Sequence, residues 1–145
     1  MPLTQFQHCL VLAEDLEETK NFYVDILGLR VGDRPPFEFD GYWLYVGDTP
    51  CIHLAKQDMG AGGEDYLERK SGRQAKDCGP LDHIAFVATG IDKFVDVLEK
   101  NNIAMRHRTV PNLKLHQIFV KDPNGVTIEL NYDYEESKKF EEAQA

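Results

Sequence analysis

Gln7-His8-Cys9-Leu10-Val11 and Cys51-Ile52-His53-Leu54 are echoed further along the chain by Asp82-His83-Ile84-Ala85-Phe86 and Thr127-Ile128-Glu129-Leu130. A histidine opens each copy. An imidazole or a carboxylate between Ile and Leu closes it, 45 residues on in the first copy (8 to 53) and 46 in the second (83 to 129). Such a duplication predicts two tandem supersecondary units. All four end residues can bind a divalent cation, so a metal site of His8, His53, His83 and Glu129, built between the halves, is expected.

Working outward, the first copy reads as strand, helix and three strands. Residues 5–12 alternate like a strand, and Asp15 with Glu18 three residues later forms an N-terminal capping signal. Leu16, Phe22, Tyr23, Ile26 and Leu27 recur at helical spacing up to Gly28, where a left-handed residue would end the helix. Strands are expected near 29–34, 42–46 and 51–56, with Gly47-Asp48-Thr49-Pro50 turning between the last two. The second copy repeats the order: a strand at 83–87, then a helix carrying Ile91, Phe94, Val95 and Leu98 and closed by Asn101-Asn102. Strands follow near 103–109, 115–121 and 126–132, with Asp122-Pro123-Asn124-Gly125 as the hairpin turn.

The predicted fold class is therefore α+β, two tandem βαβββ modules forming a curved mixed sheet around a metal site, within a single domain over residues 1–145. Module one covers 5–56 and module two covers 81–133. The glycine-rich, charged stretch 57–80 reads as a linker or flap, and 134–145 as an acidic tail with helical potential.

Strand alternation sharpens the metal argument. In Ile52-His53-Leu54 and Ile128-Glu129-Leu130 the aliphatics share one face and the polar residue takes the other. If Ile and Leu pack under a helix, His53 and Glu129 face the concave side, and His8 and His83 follow by the same logic. Three neutral imidazoles and one carboxylate suit Fe(II), Mn(II), Ni(II), Co(II) or Zn(II), and an octahedral ion would keep two positions for substrate or water.

Composition excludes several classes. The 145 residues, 42% hydrophobic and 10% aromatic, suffice for one ordinary core. A net charge of −9, with sixteen basic residues scattered among twenty-five acids, argues against nucleic-acid or anionic-membrane partners. Cys9, Cys51 and Cys78 form no close-spaced pair, so reduced thiols acting as small apolar fillers are expected. Together with the lack of a basic, apolar leader, this predicts a cytoplasmic protein.

Several stretches carry a resemblance: the His8 strand, Asn21-Phe22-Tyr23 with Ile26-Leu27-Gly28-Leu29, Asp82-His83-Ile84-Ala85-Phe86, and Phe119-Val120-Lys121-Asp122-Pro123-Asn124-Gly125 leading to Ile128-Glu129-Leu130. From Phe6 to Tyr132 the chain resembles the vicinal oxygen chelate superfamily, which includes glyoxalase I, methylmalonyl-CoA epimerase, fosfomycin-resistance thiol transferases, extradiol dioxygenases and bleomycin-binding proteins. The resemblance implies that His8, His83 and Glu129 fall on the shared 2-His-1-carboxylate positions. His53 falls where glyoxalase I carries a Glu ligand and epimerases a Gln. Phe119 stands where the extradiol pattern has a Tyr, about ten residues before the final Glu, and this sets the chain apart from dioxygenases and fosfomycin enzymes.

The chemistry implied is chelation of a small substrate through adjacent oxygens, with the metal as Lewis acid. His53 or Glu129 would then be the catalytic base that removes a proton next to a carbonyl. A glyoxalase-like lyase or isomerase is the leading expectation, with Fe(II) ring cleavage second. A metal-free, antibiotic-sequestering binding protein is the rival from another class. A homodimer is expected on the resemblance alone. For the substrate pocket, Phe37, Phe39, Trp43, Tyr45, His116 and Phe119 are the candidates, His116 as a residue behind the ligands. His107 reads as surface. Arg34, Arg69, Arg73, Arg106 and Arg108 are candidates for holding an anionic substrate arm.

Overall fold

A computed structural model describes residues 5–67, 83–110 and 114–144. Arg69, Arg73, Cys78, the Leu81-Asp82 opening of module two and most of the expected flap lie outside them. The chain divides into two compact units, Met1–Asp77 and Cys78–Ala145. Each contains one four-stranded mixed sheet, as tandem βαβββ modules require. Among the described residues no helix is long and apolar enough to cross a membrane.

In the first unit, strand β1 (Cys9–Ala13) leads into helix α1 (Leu16–Asn21). The Asp15 carboxylate accepts the Glu18 backbone N–H at 2.9 Å, so the cap legible in the sequence forms. The helix then widens into a π turn over Phe22–Ile26, with the Leu27 N–H reaching the Phe22 carbonyl five residues back at 3.2 Å. Phe22 and Tyr23 within this turn are both buried. Gly28, at φ 79°, ends it.

Strands β2 (Arg30–Gly32), β3 (Gly41–Val46) and β4 (Thr49–Lys56) follow, and β4 pairs parallel with β1, giving the order β1-β4-β3-β2. The turn is only Gly47-Asp48, since Val46 already pairs with Thr49. Ile52 and Leu54, each 1% exposed, lie on the core face of β4, against which α1 packs. Within the stretch read as linker, Gly60–Leu67 forms a helix, α2.

The second unit repeats the order with β5 (His83–Val87), α3 (Ile91–Lys100), β6 (Met105–Val110), β7 (Leu115–Lys121) and β8 (Thr127–Asp133), arranged β5-β8-β7-β6. Ile91, Val95 and Leu98 form the buried stripe of α3, and Asn102, at φ 54°, closes it. The β7–β8 hairpin is built by Asp122. Its buried carboxylate accepts the backbone N–H of Asn124 and Val126, both at 2.8 Å, while Gly125 supplies φ 84°.

The acidic tail is helix α4 (Tyr134–Gln144), packed on α3, β7 and β8. Glu136 accepts the Ile91 N–H at 2.7 Å, placing a carboxylate at the start of α3, where Gly90 has no side chain to cap with.

Candidate functional site

Strand register reproduces the sequence duplication in space. His53 pairs with Leu10, and Glu129 pairs with Ala85. His8 and His83 each lie two residues before those partners, so each is diagonal to the closing residue on the same sheet face. β1 itself begins at Cys9, one residue after His8. The expected alternation holds in β8, where Ile128 and Leu130 are buried on the face opposite Glu129. In β5, His83 and Val87 are exposed while Ile84 and Phe86 are partly buried.

In the second unit, the His83 Nε2 lies 3.1 Å from Glu129 Oε2. Two donors bound at right angles to one ion, with bonds of about 2.1 Å, would stand about 3 Å apart, so this pair fits neighbouring positions on a divalent cation. The other carboxylate oxygen is held from behind. Glu129 Oε1 accepts from Gln117 Nε2 at 2.6 Å and Asn131 Nδ2 at 2.9 Å. Gln117 is itself fixed by Asn131 Oδ1 at 2.9 Å and by Arg108 Nε, which donates to its amide oxygen at 2.7 Å. Glu129 is only 7% exposed and Gln117 6%. A buried carboxylate with one oxygen pinned and the other presented to an imidazole is preorganised for ligation.

In the first unit, the rings of His8 and His53 stack with centroids 3.8 Å apart and planes 16° apart. Trp43, directly opposite His53 in the β3–β4 ladder, stacks on the other face at 4.0 Å and 7°. The His8 Nδ1 is engaged by the Gln7 amide oxygen at 2.9 Å, which leaves Nε2 for a ligand. His53 Nε2 is buried and has no hydrogen-bond partner among the described residues. Burial first, and the neighbouring His8 second, push the His53 pKa down to about 4, against a backbone hydrogen bond at Pro50 that raises it; Arg34 lowers it further. His53 is therefore neutral at pH 7. A neutral imidazole with an orphaned buried nitrogen fits a metal ligand or a proton acceptor. Lone pairs lie in the ring plane, however, and these two planes run side by side. One ring must turn before both can reach a single ion.

Each unit by itself assembles one such pair and, among the described residues, no group of three potential ligands. Beside the His8–His53 stack is a cavity of about 170 Å³ lined by Arg34, Phe37, Phe39 and Trp43. The Arg34 guanidinium lies 4.9 Å and 5.0 Å from the Phe37 and Phe39 ring centres and donates to the Phe39 carbonyl at 2.7 Å. Tyr45 does not line this cavity; its hydroxyl donates to the Asp33 carbonyl at 2.8 Å and its ring carries Arg30. Cys9 and Cys51 have thiol pKa values raised chiefly by burial, consistent with inert fillers.

Phe119 faces Glu129 across the β7–β8 ladder. His116 does not. Strand alternation puts it on the opposite face from Gln117, where it is 3% exposed and contacts His107 at 3.1 Å and Thr109 at 3.1 Å. The residue behind Glu129 is Gln117, with Asn131 and Arg108. A countable signal existed for it. With 122–125 as the turn, Lys121 opposes Thr127, so Phe119 opposes Glu129 and Gln117 opposes Asn131.

Comparison with known proteins agrees with this architecture. The profile of the Glyoxalase/Bleomycin resistance protein/Dioxygenase superfamily matches residues 5–130. The chain is 30% identical over 131 residues to Glyoxylase I 4 of Arabidopsis thaliana, covering 88% of this chain and 70% of that protein. Its fold is similar to that of a lactoylglutathione lyase from Agrobacterium tumefaciens, with TM-score 0.66 and 18% identity over 90% of this chain and 95% of that one. It is also similar to that of TnmS3, an antibiotic binding protein from Streptomyces sp. CB03234, with TM-score 0.62 and 20% identity over 92% and 98%. The duplicated register, the two four-stranded sheets and these matches lead to one conclusion: the chain belongs to the glyoxalase/bleomycin resistance/dioxygenase superfamily.

Proposed function

We propose that this chain is a divalent-metal-dependent, glyoxalase-like lyase or isomerase acting on a small substrate with adjacent oxygens. The observation that carries the reading is the His83–Glu129 pair, 3.1 Å apart, with the far carboxylate oxygen pinned by Gln117 and Asn131. His8, His83 and Glu129 would hold Fe, Ni, Zn, Mn or Co, with His53 as a fourth ligand or as the base. The ion, when bound, supplies Lewis-acid polarisation of the substrate oxygens. The chain supplies the rest. His53 Nε2, neutral and without a hydrogen-bond partner among the described residues, accepts the proton from carbon next to the substrate carbonyl and returns it. Trp43 holds that imidazole flat against His8, and the Phe37–Phe39 wall keeps water from it.

The test is proton exchange in D2O with hemithioacetals of 2-oxoaldehydes, followed by proton NMR. Metal-loaded protein should exchange the proton next to the carbonyl, a chelator should stop it, and His53→Gln should slow it by about 10²–10⁴-fold. Exchange unaffected by chelator would overturn the reading.

A second reading, metal-free binding of a planar small molecule, is favoured by the Trp43–His53–His8 stack beside the aromatic cavity. Tight binding of a planar aromatic compound, undisturbed by a chelator and with no exchange activity, would select it. A cytoplasmic homodimer completes the proposal, and sedimentation of the purified protein checks the dimer.

A further inference from the structure

The face of the second sheet that presents Glu129, with Asp133 at its far end, also carries three cations. Arg106 opposes Phe119 and Arg108 opposes Gln117, and residues directly opposite in a ladder share a face. Lys121, two residues beyond Phe119 and paired with Thr127, shares it too. Both guanidiniums are exposed yet fixed. Arg106 lies 4.2 Å and Arg108 5.3 Å from the Phe119 ring centre, and Arg108 spends only its Nε on Gln117. Among the described residues neither arginine is ion-paired with a carboxylate, although acids outnumber bases twenty-five to sixteen in this chain. Arg106, Lys121, Phe119 and Thr127 border a hollow of about 310 Å³.

Holding two arginines side by side costs repulsion that an ion-paired carboxylate would relieve, and among the described residues neither has one, the Glu129 carboxylate being engaged by His83, Gln117 and Asn131. A guanidinium stacked on an aromatic ring keeps its edge donors for a planar or tetrahedral oxyanion. We propose that Arg106 and Arg108, with Lys121 at the rim, form an oxyanion-binding subsite beside Glu129, so that the natural ligand of this chain carries a carboxylate or phosphate group. The assignment as a substrate subsite rests on the functional reading above; the anion site itself does not need the metal.

The experiment therefore uses metal-free full-length protein. Amide shifts in ¹H–¹⁵N spectra are followed while inorganic phosphate or succinate is titrated at constant ionic strength. Saturable shifts over β6, β7 and Thr127 are expected, with Kd on the order of 1 mM for the better anion. Tighter binding of phosphate identifies a phosphate ester as the ligand class, and tighter binding of succinate a carboxylate. Arg106→Gln with Arg108→Gln should weaken binding at least about tenfold, a loss of about 1.4 kcal/mol. Arg106→Gln alone, which leaves the Arg108–Gln117 bond in place, should weaken it by severalfold. Arg30→Gln, an equal charge change on the other unit, should not.

No saturation by about 50 mM of either anion, a regime weaker than any specific site would show, overturns the proposal. So does equal weakening by Arg30→Gln, which would mark a mere net-charge effect. The same Arg106→Gln protein, titrated with Ni(II), should bind metal like the parent. Failure of anion binding with intact metal binding rejects this subsite alone, and the converse rejects the metal reading alone.

Discussion

Replacing Gln117 with Leu asks how much of the site is held from behind Glu129. The substitution keeps side-chain volume while removing three hydrogen bonds: to Glu129 Oε1 at 2.6 Å, to Asn131 Oδ1 at 2.9 Å and from Arg108 Nε at 2.7 Å. Two of these involve a charged partner, each worth about 1.5–3 kcal/mol. Arg108 is exposed and recovers water, whereas Glu129 is buried and keeps only Asn131 on that oxygen. With leucine returning some apolar burial, a net loss of about 2–3 kcal/mol is expected, near the low end of that sum. Urea unfolding of metal-free protein reads it directly. In metal titrations the same variant should lose about 10–100-fold in affinity, because an outer partner fixes the ligating carboxylate. A stability loss under about 0.5 kcal/mol, the range of ordinary surface substitutions, together with unchanged metal affinity would refute the claim that this network organises Glu129.

Other expectations follow from particular contacts. Glu129→Gln keeps the acceptor oxygen for both amide donors, so stability should change by only about 1 kcal/mol while metal binding is lost; equal metal content in parent and variant would contradict this. Glu136→Ala removes the carboxylate that caps α3 through Ile91 N–H and should cost about 1 kcal/mol in urea unfolding. The His116 pKa is lowered by burial and by His107, against the opposing pull of Glu141. Its neutral form is the one the fold prefers, so its contribution is complete above about pH 6.5 and is lost as pH falls below that value. The drop in stability between pH 7.5 and 5 should shrink in His116→Gln, and an unchanged drop would remove His116 as its source.

What the sequence made legible was local or periodic. The Asp15 cap, the Gly28 stop, the 91/95/98 stripe and the placement of Ile52/Leu54 and Ile128/Leu130 opposite His53 and Glu129 each depend on a few neighbouring residues. The π turn did not show, because Phe22–Ile26 carries the same apolar spacing that a regular helix would have. The role of α4 was hidden as well. Its weakly amphipathic, acidic sequence reads as a tail until Glu136 meets the bare N-terminus of α3. The contrast between His116 and Gln117 turned on one residue of register. Histidine is the commoner residue type around a metal, whereas the hairpin register set by Asp122-Pro123-Asn124-Gly125 puts the glutamine on the Glu129 face. The stacking of His8 on His53 is likewise set by the β1–β4 and β3–β4 ladders, which no local pattern specifies.

The central claim is that the duplicated frame holds one divalent cation through His8, His83 and Glu129. Metal content after reconstitution with Fe, Ni, Zn, Mn or Co and removal of excess, measured by elemental analysis on parent protein and His83→Ala, tests it most directly. The account predicts about one equivalent of at least one of these metals per chain, as a single site requires, and its loss in His83→Ala. Less than about a tenth of an equivalent in the parent, too little for a specific site, or equal content in the two proteins, would contradict it.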